Sequence, residues 1–91
     1  MAEVLEIDVQ VTPNPNSLKF TLNRVVVEKG SQSFFRLEQA EGSPLGKRLL
    51  TIPGVRSVFM TSNFVSIGRD PARGWDEIVP KVQQALREHF Q

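Results

Sequence analysis

The sequence predicts an α+β fold with two layers: an antiparallel-rich mixed sheet of about five strands with two helices on one face. Several short segments alternate apolar and polar residues with a period of two, which is typical of half-buried strands. The segment Trp75–Phe90 instead repeats apolar residues at three- and four-residue steps, as an amphipathic helix does. In chain order the elements are β-β-β-α-β-β-α, and helices on one side of the sheet bury the apolar faces most simply.

The composition limits the classes of protein to which the chain can belong. It has 91 residues, a net charge of +1 and no cysteine. We expect a single domain over residues 1–91, with one small core. Without cysteine, these residues cannot form a disulfide, a thiolate zinc site, a cysteine nucleophile or a thiolate-held iron–sulfur cluster.

The first two strands are predicted to pair as an antiparallel hairpin. Within Glu3–Thr12 the apolar residues fall on one parity, and Leu18, Phe20 and Leu22 alternate in the same way. Thr12–Ser17 separates the two segments with two prolines and turn-forming Asn and Ser residues. A link this short favours direct pairing of its flanking strands.

The third strand is predicted at Ser33–Leu37, with Phe35 and Leu37 on one face and Phe34 on the other. Val25–Val27 also has high strand propensity, but Glu28–Ser31 predicts a turn that ends it. The polar residues 38–42 are expected to form a loop.

The first helix is predicted to begin at Ser43, because serine is a good N-cap and Pro44 suits the first helical position. Leu45, Leu49 and Ile52 then recur at helical spacing, and Pro53-Gly54 ends the helix.

The clearest hairpin joins residues 55–60 to residues 64–68 through a three-residue turn. One parity would bury Val58, Met60, Val65 and Ile67, and the other would bury Phe59 and Phe64; the alternation allows both. The second helix is predicted over Trp75–Phe90, although Pro80 interrupts its hydrogen bonding.

Three features invite a chemical interpretation, and each has a plainer one. Gly42–Arg48 resembles a phosphate loop but has three residues between its glycines where four are needed. His89 is the only histidine, and its plainer interpretation is a residue at the end of a helix that faces solvent or interacts with the helix C-terminus. Glu3, Glu6 and Asp8 could suggest a metal site but are typical of a solvated strand face. We therefore predict no catalytic, cofactor-binding or metal-ligating residue, no cofactor in this chain and no enzymatic activity.

Nucleic-acid binding is a weaker hypothesis. Six basic residues and three phenylalanines could form a stacking and charge surface if they converged, but the near-neutral charge favours scattered surface charge. These residues are Lys19, Lys47, Arg48, Arg56, Arg69, Arg73, Phe20, Phe34 and Phe64.

Nothing in the sequence indicates a membrane segment or a targeting signal. The longest apolar run, Val25–Val27, is far shorter than the ~20 residues of a spanning helix. The N-terminus is acidic and lacks the basic and apolar regions of a signal peptide. We therefore expect a cytoplasmic protein with no membrane partner.

The loop after the first strand is the candidate interaction site. Six residues of turn chemistry exceed what a tight hairpin requires, so the loop either sets strand register or is a preorganised recognition loop. Its candidate residues are Pro13, Asn14, Pro15, Asn16, Ser17, Lys19 and Phe20.

Several segments together resemble the N-terminal domain of Nfu/NifU-like iron–sulfur scaffold proteins. They are Thr12–Phe20, Ser43–Leu45, Pro53–Phe59, Asn63–Ile67 and Trp75–Glu77, in this order and spacing. The resemblance runs from Ile7 to Phe90 and implies a small α+β domain linked to cluster assembly. In full-length members a separate domain carries the Cys-x-x-Cys pair that binds the cluster, and these 91 residues contain no such pair.

The resemblance implies a stand-alone accessory or protein-interaction module that contacts an iron–sulfur scaffold or client protein. It also brings a family-level association with iron binding, for which the acidic residues here offer no tight site. The alternatives are a general protein-interaction domain outside iron–sulfur chemistry and a small nucleic-acid-binding domain. We expect a monomer.

Overall fold

The computed structural model describes residues 4–90 and contains five strands, two α-helices and one short 3₁₀ helix within that range. The strands are β1 (Ile7–Val11), β2 (Ser17–Leu22), β3 (Val27–Phe34), β4 (Val55–Ser62) and β5 (Phe64–Arg69). The helices are α1 (Pro44–Leu50) and α2 (Trp75–Phe90), and the 3₁₀ helix covers Leu37–Ala40.

The five strands form one sheet in the order β1-β2-β5-β4-β3. Five strands and two α-helices confirm the predicted α+β fold. All four pairings are antiparallel, so this sheet is not mixed as predicted. The two predicted hairpins, β1–β2 and β4–β5, lie side by side because β2 pairs with β5. This pairing makes β1 and β3 the two edge strands.

The core lies between one face of the sheet and the two helices. The middle strands contribute buried residues of a single parity, which selects the Val58 and Val65 alternative for the second hairpin. Phe59, on the opposite parity, is 37% exposed. The fully buried set includes Phe20, Leu49, Val58, Val65, Ile67, Ile78, Val82 and Leu86.

The strand β3 differs from its prediction. Residues 28–31 continue the strand instead of turning, and a register shift between Val27 and Ser31 accommodates them as an irregularity. Gly30 takes a positive φ of 70° there, which glycine adopts at little cost. The strand ends at buried Phe34, while Phe35 is 67% exposed outside it. The 3₁₀ helix covers residues 37–40. The sequence instead predicts Leu37 at the end of the third strand and residues 38–42 as a loop.

Both α-helices match their predictions. The Ser43 hydroxyl accepts a 3.1 Å hydrogen bond from the Gly46 N–H, and Pro44 occupies the first turn. The helix α2 covers Trp75–Phe90 and continues through Pro80. Arg48 of α1 forms an ion pair with Glu88 of α2, and this hydrogen bond lowers the pKa of the Glu88 carboxyl.

Candidate interaction surface

The loop between β1 and β2 is held by hydrogen bonds within itself. The Thr12 hydroxyl lies 2.9 Å from the Asn14 carbonyl oxygen and 3.1 Å from that of Ser17. The Asn14 side-chain oxygen accepts from the Asn16 N–H at 2.9 Å, and the Asn14 carbonyl accepts from the Ser17 N–H at 3.0 Å. Turn residues that bond their own backbone in this way restrict the loop to one shape.

Two residues distant in sequence fasten this loop to the rest of the fold. The Trp75 indole N–H donates to the Pro15 carbonyl at 3.1 Å. The Arg69 N–H donates to the Asn16 carbonyl at 2.9 Å, and its guanidinium lies 3.3 Å from the Asn16 side-chain oxygen. Arg69 also stacks against the Trp75 ring, 5.2 Å from the ring centroid.

A second loop, between β5 and α2, also holds the Arg69 side chain in place. The Arg69 guanidinium donates to the Arg73 carbonyl at 3.0 Å, and the Asp70 N–H donates to the Gly54 carbonyl at 2.8 Å. The hydrogen bond from the Ala72 N–H, together with Arg56, holds the pKa of the Asp70 carboxyl below its ordinary value. The loop region is therefore a rigid corner where three connections meet.

The face of the sheet opposite the helices begins at this corner. Its side chains are those of the parity that points away from the core, and both helices bury their apolar residues on the other side. Lys19 lies on this face with its ammonium 4.3 Å from the centroid of the Phe64 ring. The Phe59 ring lies 6.1 Å from that of Phe64. We call the exposed tip Pro13–Pro15 together with Lys19, Phe59 and Phe64 the loop patch.

The structure divides the predicted interaction residues into two groups. Pro13, Asn14 and Pro15 are exposed, and Asn16, Ser17 and Lys19 are half-buried. Phe20 is a correction: its side chain is 0% exposed in the core, because its parity faces the helices. Phe20 therefore cannot contact a partner from the surface of the folded domain.

Sequence reasoning missed Arg69 and Trp75 as supports of the loop. The sequence pattern places Trp75 in the apolar stripe of α2 and predicts Arg69 as scattered surface charge. One signal existed for Trp75, because an indole N–H beside a core needs an acceptor. No local pattern pairs Arg69 with Asn16, since the two residues are 53 positions apart.

The remaining candidates do not gather into a second site. Among residues 4–90, no group of three His, Asp or Glu side chains is placed to hold a metal ion. Glu6 and Asp8 are exposed on β1, and Glu3 lies outside the described residues. Of the phenylalanines considered for base stacking, Phe20 and Phe34 are buried, which leaves Phe64.

Comparison with known proteins gives the same family from sequence and from structure. The family model described as "Scaffold protein Nfu/NifU N terminal" matches residues 7–91. NifU-like protein 4, mitochondrial, from Arabidopsis thaliana is 38% identical over 92% of this chain, which covers 30% of its length. The NFU1 iron-sulfur cluster scaffold homolog, mitochondrial, from Drosophila willistoni is 41% identical over 92% of this chain and 29% of its own length. The chain thus spans about a third of these curated relatives.

Solved structures share the fold. A NifU-like protein from Saccharomyces cerevisiae has a TM-score of 0.82 and 25% identity, over 94% of this chain and 78% of its own. The protein SAV1430 from Staphylococcus aureus has a TM-score of 0.78 and 25% identity, over 89% of this chain and 98% of its own.

The expected cytoplasmic location is contradicted by these relatives, because the names of the Arabidopsis and Drosophila proteins place them in mitochondria. The expectation depended on the absence of a targeting signal from 91 residues, and such an absence does not decide a compartment. Within residues 4–90, no helix is both long enough and apolar enough to cross a membrane.

Proposed function

The chain belongs to the Nfu/NifU N-terminal family, and from this premise we propose that it is a non-enzymatic accessory module of iron–sulfur cluster assembly. It contacts a scaffold or client protein through the loop patch and does not hold a cluster with thiolates of its own. The observation that carries the proposal is the family match over residues 7–91 in a sequence without cysteine. Association with iron–sulfur biology follows from the family; the contact and its surface are the proposed part.

The side chains of these residues include no thiolate that could bind an iron–sulfur cluster, which argues for a partner that supplies the cluster ligands. Clusters are held mainly by cysteine thiolates, and the 91 residues contain none. The acidic and histidine side chains of the described residues do not converge on one point either. A cluster handled with the help of these residues is therefore cargo bound to thiols that lie outside them.

The loop patch suits protein contact for an energetic reason. Its tip is already ordered by the Thr12, Asn14 and Trp75 hydrogen bonds, so binding costs little further backbone entropy. Beside the tip, the two partly exposed phenylalanines supply aromatic area, which is enriched at interfaces, and Lys19 adds a charge that can orient a partner. Such a patch fits a partner surface that presents a carboxylate to Lys19.

Reversing the charge of Lys19 tests this surface. We expect Lys19→Glu to weaken binding to a purified iron–sulfur scaffold protein of the same organism by about 5- to 30-fold, measured by calorimetry. The matched control is Lys29→Glu, the same change on exposed β3 at the far edge of the sheet. That control is expected to bind within about twofold of the unmodified chain, since its charge lies outside the patch.

The outcomes separate the parts of the proposal. Equal losses for the two variants would show that net charge, not the loop patch, controls binding. Failure of the unmodified chain to bind either the scaffold or a cluster-requiring client would favour the alternative, a protein-interaction domain outside iron–sulfur chemistry. Thermal unfolding of each variant shows whether the fold is intact.

A further inference from the structure

The two edges of the sheet are not protected equally. The outer strand β3 carries Glu28 and Lys29 and is distorted at Gly30 by the register shift, as protected edges commonly are. The other outer strand, β1, pairs with β2 in unbroken register from Ile7 to Val11. It has no bulge, proline or lysine, and its one charged residue is Asp8. Edge strands with so little protection can pair with further strands.

The backbone groups that β1 presents at this edge can be assigned from the hydrogen bonds beside it. The Asn23 N–H donates to the Glu6 carbonyl, which makes the even-numbered residues of β1 the ones bonded to β2. The N–H and C=O groups of Ile7, Val9 and Val11 therefore point outward. The next outward carbonyl, that of Leu5, accepts a hydrogen bond from Arg87 of α2 at 3.3 Å.

The side chains of the same three residues lie on the helix face, where the helices do not cover the edge. Ile7 is half-buried, but Val9 is 36% exposed and Val11 is 87% exposed. The edge thus combines outward backbone groups with apolar side chains on one face. The exposed stretch ends at Arg87 on one side and at Pro13, which has no N–H, on the other.

We propose that β1 pairs with β1 of a second copy of this chain, antiparallel about Val9. The two Val9 residues then exchange both backbone hydrogen bonds, and Ile7 of each copy does so with Val11 of the other. The valine and isoleucine side chains meet on the helix face, and Asp8 of each copy faces Gln10 of the other on the open face. The result is a continuous ten-stranded sheet with twofold symmetry.

Charge and the missing N–H of Pro13 select this register, and because β1 is complementary to itself in it, the occupant is a second copy. Pairings centred on a residue oppose outward groups to outward groups, whereas pairings centred between two residues do not. Centring on Asp8 would oppose the two Asp8 carboxylates, and centring on Gln10 would oppose Ile7 to Pro13, which cannot donate. Centring on Ile7 would place Asp8 opposite Glu6 of the other copy, and like charges directly opposite are unfavourable. Centring on Val11 would place Val9 opposite Pro13, which cannot donate. The Val9 centre alone uses all five residues of β1 and opposes each carboxylate to an amide.

The contact is small, so the dimer is weak. Five residues of each strand bury less than the ~1,200 Å² at the low end of specific interfaces. We therefore expect weak association, with a dissociation constant on the order of 100 μM. At high protein concentration we therefore expect a dimer in place of the monomer that the sequence predicts. It is independent of the proposed function.

Two substitutions at exposed Gln10 test the pairing and its register together. Gln10→Lys places a cation opposite each Asp8, and we expect a dimer dissociation constant about 2- to 30-fold lower in sedimentation equilibrium. Gln10→Glu places an anion there and raises the constant by a similar factor. The control Gln32→Lys makes the lysine change on β3, at the other edge, and leaves the constant within about twofold.

Amide NMR adds a residue-level measurement. On raising the concentration to about 1 mM, the amides of Ile7, Val9 and Val11 are expected to shift and to exchange more slowly than in dilute solution. A monomer at that concentration for both the unmodified chain and Gln10→Lys would overturn the proposal. A dimer whose constant moves in the same direction for both Gln10 variants would also overturn it, since the register would be wrong.

Discussion

Replacing Phe20 with alanine is expected to lower the free energy of unfolding by about 3–5 kcal/mol. Phe20 lies on β2, which pairs on both sides with β1 and β5, and its side chain is fully buried under the helices. Removing the ring leaves a cavity that strands held on both sides cannot close. Urea denaturation followed by circular dichroism measures the loss.

The matched control is Phe59→Ala, the same truncation on the opposite face of the sheet. Phe59 is 37% exposed and its ring lies 6.1 Å from that of Phe64, so we expect a loss of about 1 kcal/mol. If Phe20→Ala does not fold, Phe20→Leu keeps most of the volume and is expected to cost less than Phe20→Ala but more than the control. Equal losses at the two positions would contradict the assignment of the buried face.

Gly54→Ala is expected to lower the free energy of unfolding by about 2–3 kcal/mol. Gly54 has a φ of 96°, which residues with a Cβ rarely adopt. An added Cβ would also lie 3.0 Å from Ile78 Cδ1 and 3.1 Å from Arg73 Cβ. Because the Gly54 carbonyl accepts from Asp70, the strain would spread to the loop that supports Arg69.

Gly30→Ala separates the two causes of this loss. Gly30 also has a positive φ, 70°, but no atom lies within 4 Å of an added Cβ. We expect a loss of about 1 kcal/mol there, from backbone strain alone. Losses of the same size at both glycines in chemical denaturation would show that the contacts to Ile78 and Arg73 contribute nothing.

Most of the fold could be predicted because its signals are local. The Ser43-Pro44 start of α1, the stripe of α2 and the alternation in both hairpins each lie within a few residues of the structure they produce. The β3 strand was mispredicted because Glu28–Ser31 has turn composition, and only pairing with β4 makes it a strand. Strand order was also beyond local patterns, since β2 and β5 meet across a long stretch of chain.

The candidate site was predictable in part for the same reason. The loop was marked by its own prolines and asparagines, but its support comes from Arg69 and Trp75, which no short-range pattern links to it. Phe20 was placed in the site by its nearness in sequence. The alternation that predicted its strand left open which face the helices cover, and Phe20 lies on the covered one.

The central claim is that this chain works on clusters held by another protein's thiols. The direct measurement is anaerobic incubation with a cluster-loaded scaffold, followed by native gel filtration with detection of visible absorbance. We predict that the chain elutes with the scaffold, that the absorbance stays with this complex, and that the chain alone remains colourless after treatment with iron and sulfide. Elution of the chain by itself, carrying the cluster absorbance, would contradict the claim.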